Sequence, residues 1–121
     1  MFRRASFTEV GGSMKHGKLV CAFLQNDEFK DLVAKRLAEL LAGPLSDESM
    51  TASIDAMADE IREEIPRETS RWGYTTRSRE NLTASLRAFC GNRQEDLIYD
   101  YCSFVGFDAA QRESYFGDLL N

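Results

Sequence analysis

One stretch concentrates side chains that could do chemistry. It reads Arg67-Glu68-Thr69-Ser70-Arg71-Trp72-Gly73-Tyr74, with Arg77 and Arg79 close behind. Arginine forks bind phosphate and carboxylate oxygens bidentately, and aromatic faces stack on bases or on guanidinium planes. Arg67, Arg71, Trp72 and Arg77 are therefore the candidate phosphate or partner contacts. A structural reading competes with this one and is favoured. In it, Trp72 plugs the core against the stripe from Met50 to Ile65, and Arg71 sits at a helix C-terminus, where the dipole favours a cation.

Other chemistry is thinly supplied. His16 is the only histidine, and it stands beside Gly17 with no motif around it. The cysteines Cys21, Cys90 and Cys102 include no Cys-x-x-Cys pair, so a zinc site lacks ligands. Three is also an odd number for a disulfide framework, and small buried thiols in a reducing compartment are expected. No Gly-x-Gly-x-x-Gly or Walker-type loop cradles phosphates. The acids Asp55, Asp59, Glu60, Glu63 and Glu64 lie on a helical period, which makes a solvated face rather than a calcium loop. The reading is no catalytic residue, no metal and no cofactor. Asn81-Leu82-Thr83 forms a glycosylation sequon on a predicted helix, and Arg3-Arg4-Ala5-Ser6 a short basic-directed phosphorylation pattern. Both are common by chance.

The elements that must position these residues are helical. The chain has 121 residues, suited to one domain with a core of its own. Residues 1–17 show no helical period and read as a loose arm; residues 18–121 read as a single helical domain. Leu19, Val20, Phe23 and Leu24 mark a short amphipathic turn. Asn26 then fits an N-cap for a helix over 27–42, which Gly43 and Pro44 end. Ser46 caps a second helix with Met50, Ile54, Met57, Ile61 and Ile65 as its inward stripe. Pro66 kinks or interrupts this helix, with Gly73 as its stop. A third helix is expected from Ser78, with Leu82, Leu86 and Phe89 inward and Gly91 as its end. Asn92 with Glu95, and Asp108 with Gln111, have capping-box spacing and open two more helices. The expectation is an all-α fold, a compact irregular bundle of four to five helices.

Net charge bounds the partners. At -5 the chain as a whole does not attract nucleic acid or anionic lipid, which leaves room for a local basic patch. No apolar run approaches the roughly 20 residues that span a membrane, and no signal-peptide h-region follows Arg3 and Arg4. A cytoplasmic chain with protein partners is expected: a larger core, a substrate or a second copy of itself in a homodimer.

Several strings, in this order and spacing, resemble one family. Phe23-Leu24-Gln25-Asn26-Asp27-Glu28-Phe29 looks like the entry to the C-terminal helical region of CotH-type atypical protein kinases. Arg36-Leu37-Ala38-Glu39-Leu40-Leu41 resembles that family's first helix, and Leu45 to Met50 with Ile54-Asp55 the start of its second. Arg67-Glu68 with Arg71-Trp72 resembles its Arg-Trp signature. Phe89, Asn92 and Arg93, then Val105-Gly106-Phe107, resemble its closing elements. The resemblance spans 19–107. It implies kinship with enzymes that transfer phosphate from ATP to spore-coat or other surface proteins, or occur as surface-associated modules. The family's metal- and ATP-binding residues, an aspartate-rich motif among them, lie upstream of this region, and Met1–Lys18 holds no aspartate. Phosphoryl transfer needs metal-holding carboxylates, a phosphate-binding cation and a positioned base. The resemblance thus implies a non-catalytic helical part that supports a kinase core or a protein substrate and is inactive alone. The alternative is a stand-alone helical interaction or regulatory module.

Overall fold

The computed structural model describes residues 15–73 and 76–121. They form six helices: α1 Lys15–Phe23, α2 Asp27–Ala42, α3 Asp47–Glu60, α4 Ile65–Trp72, α5 Thr76–Val105 and α6 Ala109–Leu120. No strand occurs among the described residues, and the fold is all-α as expected. Most of the arm expected over 1–17 lies outside the described residues, but residues 15–17 already belong to α1.

Local chemistry explains where most helices begin and end. Asn26 Oδ1 accepts from the Phe29 amide at 3.0 Å and caps α2. The Ser46 hydroxyl accepts from the Ser49 amide at 3.3 Å, with extended backbone at Ser46. Asp108 and Gln111 complete a reciprocal capping box at the start of α6. Gly73 and Gly106 take φ of 74° and 78°, the left-handed conformation that glycine adopts without strain.

At Pro66 the helix is interrupted, one of the two outcomes expected there, whereas the end expected at Gly91 is not found. Pro66 does not kink one long helix. It sits in the first turn of a new one, where a missing N–H is harmless, and a turn at 61–64 separates α3 from α4. Gly91 ends nothing: it lies inside α5, a helix of 30 residues, and its φ is not positive. No proline follows it, and the helix on both sides can absorb the roughly 1 kcal/mol that an interior glycine costs. Asn92 accordingly caps nothing, and its amide donates back to the Ala88 carbonyl at 3.2 Å. Ser78 falls inside α5, and its side chain lies outside the described residues.

The chain divides into two compact units: Met1–Ala42 with Glu95–Asn121, and Gly43–Gln94. The first holds a continuous core of Leu24, Ala34, Leu41, Ile98, Tyr101, Cys102, Val105 and Phe116. Here α2 packs on α6. Tyr101, fully buried, donates its hydroxyl to the Lys30 carbonyl at 2.7 Å and meets Phe107 and Phe116 edge-on. Tyr115 stacks on Phe107 and hydrogen-bonds Asp31, which also takes Lys35 at 2.7 Å. Asp31 is thereby held below its ordinary carboxylate value by hydrogen bonds from Lys35 first and Tyr115 second. Cys102 is buried in this core, which pushes its thiol up; Cys21 is half-buried. Of the segment at 19–24, Leu24 joins the cluster that contains Phe116, while Leu19, Val20 and Phe23 stay about half exposed.

The second unit comprises α3, α4 and the first half of α5, and Cys90 is its one buried hydrophobic residue among those described. The α3 face that turns inward carries Thr51, Ile54, Asp55 and Ala58, whereas Met57 and Ile61 of the expected stripe are 68% and 51% exposed. On α5 the expected inward row of Leu82, Leu86 and Phe89 is exposed instead. The partly or wholly covered row on this half is Arg79, Thr83 and Cys90.

Candidate functional site

The residues singled out from the sequence fall mainly on α4. Arg67 and Arg71 are four residues apart and share a face. Arg67 is already engaged, with Nη1 3.0 Å from Glu64 Oε1. The Arg71 guanidinium lies over the indole of its neighbour Trp72, 5.3 Å from the ring centroid. Arg77 belongs to α5, but its side chain lies outside the described residues.

Trp72 is 60% exposed, which corrects the expectation that it plugs the core. The reason is the break at 61–64. Once α4 starts afresh at Ile65, Trp72 no longer continues the Met50–Ile65 stripe. It ends an eight-residue helix that buries no residue at all.

The structure assembles a different arginine group. A cleft of about 480 Å³ within the second unit is lined by Ala58, Asp59, Arg62, Ile65, Pro66, Arg79, Glu80, Thr83 and Arg87. Three chain segments build it: the end of α3, the turn into α4, and the covered row of α5. Arg87 donates from Nε to Asp55 Oδ1 at 2.7 Å and also through Nη2, tying α5 to α3. Arg62 pairs with Asp59. Thr83 donates its hydroxyl to the Arg79 carbonyl at 3.1 Å. Arg79 differs from the other two guanidiniums: its Nη1 is buried and finds no hydrogen-bond partner among the described residues.

Sequence reasoning placed Arg79 next to the candidates without choosing it, and passed over Arg62. The signal available was the spacing Arg79, Thr83, Arg87, a polar row at helical period. The partial cover of Arg79 and Thr83 depends on α3 and α4, which no local pattern reveals. Among the described residues no three His, Cys, Asp or Glu side chains gather closely enough to hold a metal ion. No described helix is long and apolar enough to cross a membrane.

Residues 4–97 of this all-α chain match the family described as CotH kinase protein. The chain belongs to the CotH kinase protein family. No curated protein and no solved structure matches it significantly.

Proposed function

We propose that this chain is a non-catalytic helical portion of a CotH-like atypical protein kinase, one that supports the kinase core or the binding of a protein substrate. The observation that carries the reading, given family membership, is the inverted amphipathicity of α5. Leu82, Leu86 and Phe89 form one apolar row at i, i+4 and i+7, exposed by 58%, 38% and 45%. Trp72, Met57 and Ile61 in the same unit are also more than half exposed. A helix in a folded protein ordinarily buries its apolar row, and contiguous exposed apolar surface marks interaction sites. The occupant we assign is protein, and within this family the catalytic core is the partner that such a row would support.

The test is direct. The purified chain, titrated with Mg-ATP by calorimetry and incubated with radiolabelled ATP and a protein acceptor, should show neither binding in the micromolar range nor phosphoryl transfer. Micromolar Mg-ATP binding or transfer overturns the reading. The stand-alone module is separated from it by the coding sequence immediately upstream of Met1. In-frame acidic metal-binding motifs there support a kinase portion, and their absence supports the module.

A further inference from the structure

Arg79 poses a question that the proposed role does not answer. A buried guanidinium N–H without an acceptor is costly, since a charged group loses its water and gains nothing. Folded proteins satisfy such groups with protein, ordered water or ligand. The protein supplies no acceptor here among the described residues. The cleft that Arg79 lines, about 480 Å³, is far larger than one water, whose share of liquid is roughly 30 Å³.

The remaining lining indicates what fits. Arg62, Arg79 and Arg87 face Asp59 and Glu80, one positive charge in excess. The nearby carboxylates are committed: Asp59 takes Arg62, and Asp55, just behind the lining, takes Arg87. Arg62 uses Nη2 and Arg87 uses Nε and Nη2 in these pairs, so each keeps N–H groups uncommitted among the described residues. Each guanidinium carries five donors in a planar fork. Glu80 is exposed and opposes an anion, but solvent screens it more than the buried Arg79 nitrogen. Donors on three guanidiniums from two chain segments exceed what the two oxygens of a carboxylate can use. A phosphoryl group offers three oxygens and takes arginine forks bidentately.

We infer that the cleft between α3, α4 and the first half of α5 is a phosphoryl-binding site anchored by Arg79. The inference rests on the cleft alone and would survive the failure of the kinase-portion reading, because it involves neither ATP hydrolysis nor the apolar row.

The test uses the whole chain and three probes: inorganic phosphate, a phosphoserine peptide with its unphosphorylated twin, and acetate. Calorimetry should give saturable phosphate binding with Kd of about 1 mM or tighter. Arg79→Gln should weaken it at least about tenfold, as the loss of a charge-assisted hydrogen bond implies. Arg36→Gln, on α2 outside the cleft and paired with Glu39, should leave it unchanged. Should Arg79→Gln fail to fold by circular dichroism, phosphate-induced shifts of the arginine Nε–Hε resonances in the unaltered protein read out the same site. Tighter binding of the phosphopeptide than of inorganic phosphate identifies a phosphorylated side chain as the source; equal binding identifies free phosphate. Absence of saturable binding overturns the proposal. So does equal weakening by Arg36→Gln, which would reveal a diffuse charge effect, or acetate binding as tightly as phosphate.

Discussion

The two units spend similar helices differently. In the first, α2, α6 and the second half of α5 turn their apolar rows toward one another, and Ile98, Tyr101 and Phe116 reach zero to 1% exposure. In the second, α3, α4 and the first half of α5 meet through Asp55–Arg87 and the cleft around Arg79, while Leu82, Leu86, Phe89 and Trp72 are 38–60% exposed. One helix, α5, belongs to both and behaves oppositely along its length. The lesson is that an amphipathic period states which residues share a face and not which face will be covered. Coverage needs a partner of matching area, and the second unit lacks one of its own among the described residues.

The largest effect that could break this comparison is a pair of truncations. Phe116→Ala should cost about 3–5 kcal/mol, the range for large aromatics in cores. Trp72→Ala should cost less than about 1 kcal/mol, losing only an exposed cation–π contact. Urea melts of both variants decide it, and a costly Trp72→Ala would mean that the second unit has a core after all.

Next in size is Tyr101→Phe. It leaves the Lys30 carbonyl without its 2.7 Å donor inside the packed unit, a loss of about 1–2 kcal/mol. A midpoint unchanged from the parent would show that water replaces the hydroxyl, and that the first unit is looser than its burial implies.

A pH series sharpens the contrast further, because the shifted groups sit in the first unit. Burial, above all, pushes Tyr101 up to about 12 from an ordinary 10.0. The native state therefore holds this proton more tightly than the unfolded chain. Its contribution is complete below pH 10 and is lost as pH rises toward about 12. Tyr115, raised chiefly by its hydrogen bond to Asp31, acts in the same direction. Asp31 works at the other end: its lowered value gives a contribution present above 3.8 and lost as pH falls below it. Denaturation midpoints across pH, followed with tyrosine absorbance, should decline at both extremes. Asp31→Asn should remove the acid limb, and in Tyr101→Phe the alkaline decline should shrink.

The smallest effect tests the helix that joins the two regimes. Gly91→Ala should stabilise by about 0.5–1 kcal/mol, since a Cβ there meets nothing within 4 Å and the helix gains propensity. Destabilisation would show that α5 bends or breaks at Gly91 in solution, and that the two halves are separate helices.

What the sequence determined alone were events of short range. Asn26, Ser46 and Asp108 start helices because a side-chain oxygen three residues upstream satisfies an amide otherwise left bare. Gly73 and Gly106 stop them because only glycine enters the left-handed region freely. The place of Arg71 in the last turn of α4 was equally legible. Family membership could be read too, from strings over 19–107, and the family model matches residues 4–97. Tertiary structure alone decided that Gly91 is passed over and that α3 presents Asp55 and Ala58 rather than Met57 inward. It also decided that Trp72 stays in solvent and that Arg79, not Arg67, carries the buried unpaired nitrogen. For α3 and α5 the difference is a rotation of the helix by about one residue, roughly 100°. That rotation is set by which distant helix it meets, and residues 55 and 87 share a salt bridge that no window of local sequence contains.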